Sequence, residues 1–529
     1  MKNLLLVVLA AAMMACGWLE LTGLVMLGGF VPLLVLAGRY DSSRGAFWHM
    51  AGWTALFIAL WYALSVWWVW LATPAGPIAA VFLAWIYTGG AFMLWFWLSK
   101  RAPKSLSYTV LVSGWTVGEW LYNNSQLSFP WLSVGNGFAR DTWAVQWYEF
   151  TGEFGGTVWV LVSSILIYEF LVVRRPRPLA LRNLLPPALA IVAPIALSLA
   201  IYFTLDEPTR TVKVSIVQPN VDPWGERNPM TVQEQTTNLA ELIAMVPADT
   251  RFIVTPEAAI AEPLVESQLS DAPSLVELRA AMATHSPGAT AVFGATTYRL
   301  YGADRATSTA RPDDRMGGWY DIYNSALALA PDGRADIHHK AKLVPGAEMA
   351  PDWWWVRGLL FLIRDLDFYI GQYGYGTERV VFENGSGPDV VKAGAGICWE
   401  SVYGQYTSEF VRNGAQLLFV ITNDGWWGNT PGHRQHFDLS RLRAIETRRA
   451  VARSANTGRS GFITSRGDPG QTLQWEERGV ITADVGVSDR ITLFVRLGDW
   501  PARVSLLLLG LSVLYFIAWR IRKKSNIVN

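Results

Sequence analysis

The sequence predicts an α/β domain carried on transmembrane helices, and three observations lead there. Long apolar segments fill the first 200 residues and recur near the C-terminus, short β-rich runs alternate with helical patterns between them, and Lys and Arg occupy every other loop of the apolar part. Half of the 529 residues are hydrophobic (51%), only 16% are charged and 27 are Trp, which is too apolar for an ordinary soluble enzyme. The net charge of +1, with no basic cluster alternating with aromatics, argues against a nucleic-acid partner.

Seven apolar segments precede residue 205, near 4–18, 20–38, 51–71, 76–98, 105–121, 154–173 and 185–204, and an eighth covers 504–519. Most approach the roughly 20 residues that cross a bilayer core; the first, fifth and eighth are short. Basic residues gather at Lys2, Arg39 and Arg44, at Lys100, Arg101 and Lys104, at Arg174, Arg175, Arg177 and Arg182, and at Arg520, Arg522, Lys523 and Lys524. Around 72–75 and 122–153 there is only Arg140. Because Lys and Arg are retained in the cytoplasm, this alternation predicts eight spans with both termini inside. It divides the chain into a membrane domain, 1–205, an outer-face domain, 206–497, and a last span with a basic cytoplasmic tail, 498–529.

The middle domain is long enough for its own core. Val212–Val217, Phe252–Val254, Ala291–Gly294, Ser325–Leu329 and Leu417–Ile421 read as strands, and Val232–Met245 and His433–Arg453 as helices. Polar residues cluster where several of these strands end. Phe252-Ile253-Val254-Thr255-Pro256 delivers Glu257, the run after Pro331-Asp332-Gly333 ends in His338-His339-Lys340, and Val390–Ile397 leads to Cys398. An acid, an amine and a thiol at strand ends suit acyl transfer through a covalent intermediate. Blander readings stay open: Cys398 as a core thiol, Glu257 as a helix-start carboxylate, Lys340 as a solvated charge. The only other cysteine, Cys16, lies in an apolar N-terminal segment, so no disulfide is expected.

His433 and His436 stand three apart, but no carboxylate or cysteine completes a metal set at usable spacing. No metal is expected, the segment reads as a helix start, and Arg441–Arg453 as a solvated or ion-paired helix face.

Five stretches resemble the nitrilase, or carbon–nitrogen hydrolase, superfamily, and within it the membrane-embedded apolipoprotein N-acyltransferase family. They are Val217-Gln218-Pro219-Asn220 with Trp224 nearby, Thr255-Pro256-Glu257, Lys340 to Glu348, Gly396-Ile397-Cys398-Trp399-Glu400, and Thr422-Asn423-Asp424-Gly425-Trp426-Trp427-Gly428. Phe129-Pro130-Trp131-Leu132 resembles the same family outside the domain. The resemblance implies an α-β-β-α sandwich and a Glu257, Lys340, Cys398 triad, Lys340 being preferred to Lys342 by the register of Leu343-Val344-Pro345. Glu348 and Glu400 are implied accessory acids that position Lys340 and an incoming amine. Trp399 stands where Tyr is common, and Trp224 is an implied accessory residue.

The resemblance also implies an acyl donor among membrane phospholipids, phosphatidylethanolamine first, a diacylglyceryl-cysteine lipoprotein as acceptor, and no soluble cofactor. The expected place is a bacterial cytoplasmic (inner) membrane with the catalytic domain on the periplasmic side. The alternative is a membrane-tethered amidase or nitrilase, with water in the second step. The apolar stretch from Met349, through Trp353-Trp354-Trp355 and Leu359–Ile363 to the Tyr/Gly-rich end at Gly376, reads either as a mobile lid dipping into the outer leaflet or as residues packed on the domain.

Overall fold

The computed structural model describes the chain apart from residues 74–75, 175–180, 227, 314–317, 350–372 and 529. It divides into two compact units: Met1–Trp70, Pro74–Thr204 and Leu497–Asn529 form the first, and Leu71–Thr73 with Leu205–Arg496 the second.

The first unit is helical. Among the described residues five helices are long and apolar enough to cross a membrane: Arg44–Val66, Gly76–Ser99, Glu153–Val173, Arg182–Thr204 and Trp500–Lys523. The expected count of eight is therefore not met by length and composition. The apolar helices Lys2–Ala15 and Gly23–Gly38 are too short. Lys104–Asn123 has 20 residues, but its Ser, Thr and Glu119 dilute the apolar run. Most of that helix is buried within its unit. Glu119 accepts from Trp115 Nε1 (2.9 Å), the Val134 amide (3.0 Å) and Thr157 Oγ1 (2.7 Å), fixing the turns around the buried Trp131.

The second unit is built on fourteen described strands: β1 Thr211–Gln218, β2 Phe252–Val254, β3 Ile260–Val265, β4 Thr290–Tyr301, β5 Arg311–Asp313, β6 Gly318–Leu329, β7 Ala335–His339, β8 Val381–Asn384, β9 Val391–Ile397, β10 Leu417–Thr422, β11 Val451–Ala455, β12 Ser460–Ile463, β13 Pro469–Leu473 and β14 Gly479–Gly486. One sheet runs β14-β1-β2-β4-β6-β5, with β3 also on β4 and β7 on β6; the other runs β13-β12-β11-β10-β9-β8. Side chains alternate along each strand, so both faces of both sheets can be buried. Val214, Ile216, Phe252 and Val254 of the first sheet meet Ala393, Ala395, Ile397 and Phe419 of the second in one core. On the outer face of the first sheet, Val217, Ile253 and Phe293 pack on Leu239, Leu242 and Ile243 of helix Val232–Ile243 and on Leu275 and Leu278 of helix Pro273–His285. Helices Gly404–Arg412 and Pro431–Thr447 go with the second sheet. Two helices, two sheets and two helices give the expected α-β-β-α sandwich.

One predicted boundary moves. The helix read as His433–Arg453 ends at Thr447, Arg448 takes a left-handed cap (φ +52°), and Val451–Ala455 is strand β11 in parallel register with β10. Arg and Ala are strong helix formers, and pairing with the central strand overrides that preference. Of the two readings of Arg441–Arg453, the ion-paired one fits rather than the solvated one: Arg443, Arg448, Arg449 and Arg453 are all at most 1% exposed, with Arg443 on Glu446 and Arg453 on Asp424. Trp353, Trp354, Trp355 and Leu359–Ile363 lie outside the described residues. At the far end of that stretch, the Gly374 amide donates to Ile322 O (2.8 Å) and the Gly376 amide to Lys340 O (3.0 Å).

Candidate active site

Strand ends of both sheets deliver the predicted residues. After β2, Glu257 is held in a turn whose next residue, Ala258, has φ +53°. That turn lies hard against β4, where the Gly294 amide donates to Pro256 O (3.1 Å). After β7, the Lys340 amide donates to Asn324 O on β6 (2.8 Å). After β9 comes Cys398, itself left-handed at φ +47°. A non-glycine residue there carries on the order of 1–3 kcal/mol of strain, a conformation common at functional sites. Glu257 and Cys398 emerge where buried strands stop, and Lys340 follows the half-buried, polar β7.

The side chains form a closed polar set. Lys340, 1% exposed, donates to Glu257 Oε1 (3.1 Å) and Glu348 Oε1 (2.9 Å). Asn324 Nδ2 donates to the same two oxygens, at 2.7 and 2.9 Å. Glu257 Oε2 accepts from the Asn423 amide beyond β10 (3.0 Å), so this carboxylate ties one sheet to the other. Glu348 Oε2 accepts from the Val344 amide (2.8 Å), closing the loop that follows Lys340. Burial works against the ammonium of Lys340, but Glu257 and Glu348 outweigh it and hold Lys340 charged well above its ordinary range. Burial pushes the Cys398 thiol up, the Glu257 charge adds to that, and Lys340 opposes both. The resting sulfur is thus a thiol beside a carboxylate and a fixed cation, an arrangement suited to proton removal at the moment of attack.

The accessory residues divide. Glu348 contacts Lys340 as expected. Glu400 does not: fully buried, it accepts from the amides of Ala341 (2.7 Å) and Ile397 (2.9 Å), from Tyr406 Oη, and pairs with His338 Nε2 (3.2 Å). Burial opposes its charge, but His338 and these donors bring its carboxyl down to about 2. It braces the backbone beside Lys340 and before Cys398. Trp399 is buried with its indole N–H donated to Tyr403 Oη (2.9 Å). Trp224 is half exposed and packs edge-on against Trp426, ring centroids 4.9 Å apart. The passed-over Lys342 lies over the Tyr403 ring, 4.9 Å from its centroid.

Residues 213–492, more than half of the sequence, match the carbon–nitrogen hydrolase family. The chain belongs to the carbon–nitrogen hydrolase family. In front of its hydrolase domain, residues 5–166 match the apolipoprotein N-acyltransferase N-terminal domain. Relatives of this carbon–nitrogen hydrolase include the apolipoprotein N-acyltransferase of Chlorobaculum tepidum, 29% identical over 494 residues that cover 92% of this chain and 90% of that one. The same enzyme of Methylococcus capsulatus is 28% identical over 439 residues, covering 81% and 78%. A solved superfamily protein of Xanthomonas campestris, with an arsenic adduct in its active site, aligns over 52% of this chain and 91% of its own at 16% identity and a TM-score of 0.34. The two-domain match, the relatives and the five apolar helices make it a membrane member of the carbon–nitrogen hydrolases, as its motifs implied.

Sequence reasoning missed several parts of this carbon–nitrogen hydrolase site. Asn324 gave no signal beyond lying on a strand next to the Lys340 turn. Asp424 and His436 were visible inside a motif and a histidine pair, but their partnership across twelve residues was not. His338, named only as part of the run into Lys340, is the buried partner of Glu400.

Proposed function

We propose that this protein is an apolipoprotein N-acyltransferase that works by a ping-pong cycle on Cys398, moving a fatty acyl chain from a phospholipid to the α-amine of a diacylglyceryl-cysteine lipoprotein. The observation that carries the reading is the buried Lys340, held charged between Glu257 and Glu348, next to a thiol at a strained strand end. Supporting it are the match of residues 5–166 to the N-acyltransferase N-terminal domain and relatives of that name along most of the chain.

In the first half, Glu257 takes the Cys398 proton as sulfur attacks an ester carbonyl of the donor, phosphatidylethanolamine in our reading. The tetrahedral oxyanion faces the Lys340 ammonium. Its C–O bond breaks, Glu257 returns the proton to the leaving oxygen, and a lysophospholipid departs from a thioester. In the second half the α-amine attacks the thioester, Glu257 accepts its proton, and as the C–S bond breaks Glu257 passes that proton to the leaving sulfur, giving the amide, the Cys398 thiol and the free carboxylate. Eight spans, both termini in the cytoplasm and the catalytic unit on the periplasmic side of an inner membrane complete the reading, resting on the basic-loop alternation. Both substrates would be anchored in lipid, which gives a reason for joining a hydrolase sandwich to a membrane unit.

The test is intact mass after incubation with phosphatidylethanolamine. Wild type should gain one acyl mass that hydroxylamine removes, and Cys398→Ala should gain none. Absence of the adduct from folded wild type across phospholipids would overturn the donor assignment.

A further inference from the structure

Behind Cys398 runs a buried chain of side chains that the acyl-transfer cycle does not use. Arg453 Nη2 donates to Asp424 Oδ2 (2.6 Å), and Thr422 Oγ1 donates to Asp424 Oδ1 (2.8 Å). His436 Nδ1 meets that same Oδ1 at 2.9 Å, so the proton on this nitrogen faces a carboxylate. Burial opposes the Asp424 charge, but Arg453 and His436 hold its carboxyl well below the usual range. On the other side of the ring, His436 Nε2 lies 3.0 Å from Ser401 Oγ and 3.3 Å from the carbonyl oxygen of Cys398. Ser401 Oγ donates to that carbonyl at 2.7 Å. Arg453, Asp424 and His436 are fully buried and Ser401 nearly so. A Cβ at Gly458 would come within 2.7 Å of Asp424 Oδ2, so the carboxylate has no room to retreat.

The carbonyl at the end of this chain belongs to the peptide that joins Cys398 to Trp399. Turning it turns the Trp399 N–H, because both lie in one peptide plane. We propose that His436 and Ser401 are positioning residues that lock the Cys398–Trp399 peptide, so that the Trp399 N–H points at the oxyanion opposite Lys340. Arg453 and Asp424 hold the imidazole in place. This rests on acylation of Cys398 but not on the identity of the donor.

The test compares two reactions of the same sulfur in a Cys16→Ser background, where Cys398 is the remaining thiol. Acylation by a p-nitrophenyl ester passes through an oxyanion; alkylation by iodoacetamide displaces iodide at a saturated carbon and forms none. Ser401→Ala, the gentler change, and His436→Gln, whose amide can still accept from Ser401 Oγ in place of the imidazole Nε2, are each measured in both. Misplacing one oxyanion donor should slow acylation on the order of 10- to 100-fold. Alkylation should fall by less than about threefold, and His436→Gln should retain more acylation than His436→Ala. Equal slowing of both reactions would make the network merely structural, and no slowing of acylation would remove its role; either result overturns the proposal. The ester reports on Cys398 whether or not phosphatidylethanolamine proves to be the donor.

Discussion

Replacing Gly294 with alanine probes how Glu257 is placed without touching its carboxylate. A Cβ at position 294 would lie 2.3 Å from Pro256 O and 2.5 Å from Glu257 Cα, where ordinary contact begins at 3.4 Å. Both obstacles are backbone, so no rotamer change relieves them, and the turn carrying Glu257 must retreat by about 1 Å, a displacement that costs roughly 100-fold in rate when it separates reacting groups. Overpacking should also lower stability by about 1–3 kcal/mol. The assay is the rate of Cys398 acylation by a p-nitrophenyl ester, with thermal unfolding in detergent alongside. The cause is isolated by a cycle: once Glu257→Gln has removed the base, Gly294→Ala should add little further loss. Wild-type acylation by Gly294→Ala, or the full loss repeated in the Glu257→Gln background, would refute the idea that this backbone contact positions the base.

Three further outcomes follow from the same geometry. Lys340→Met strands two buried carboxylates and should destabilise the catalytic unit by about 3–5 kcal/mol, while Lys340→Met with Glu348→Met should recover stability but not acylation, as thermal unfolding and ester turnover would report. Because the Glu257 charge raises the Cys398 pKa and Lys340 lowers it, Glu257→Gln should move the pH profile of iodoacetamide alkylation to lower pH and Lys340→Met to higher pH, even though both variants acylate slowly. The Glu400 carboxyl lies at about 2 in the folded protein, below the roughly 4.3 of an unfolded chain, so the stability it contributes is present above that unfolded value and is lost as pH falls toward 2. Glu400→Gln should therefore flatten the acid limb of a stability profile in that window.

Much of the site was legible because its chemistry sits at strand ends. Phe252–Val254 and Val390–Ile397 carry a buried apolar pattern that stops at Glu257 and Cys398, while Lys340 was marked by its motif rather than by its half-buried, polar strand. What could not be read were pairings that exist only after folding. Asn324 joins Glu257 to Glu348 from a neighbouring strand, and Arg453 reaches Asp424 in the turn just after β10 although its own stretch looks like a charged helix face. Burial of Arg443 beside Glu446 follows the same logic: a charge looks solvated until its partner is placed. The span count was hard to read for a related reason: in Lys104–Asn123 the polar Glu119 dilutes the apolar run, and the interior donors that satisfy it appear only after folding.

The central claim is that an acyl group rests on Cys398 and leaves on an amine. Acyl-enzyme prepared from phosphatidylethanolamine and freed of donor would be mixed with a diacylglyceryl-cysteine peptide bearing a free or an acetylated α-amine, and both enzyme and peptide masses followed. The account predicts that the adduct disappears as the free-amine peptide gains one acyl mass, and that it persists with the acetylated peptide. Loss of the adduct as free fatty acid, at the same rate with either peptide or with buffer, would contradict it and make the protein a hydrolase.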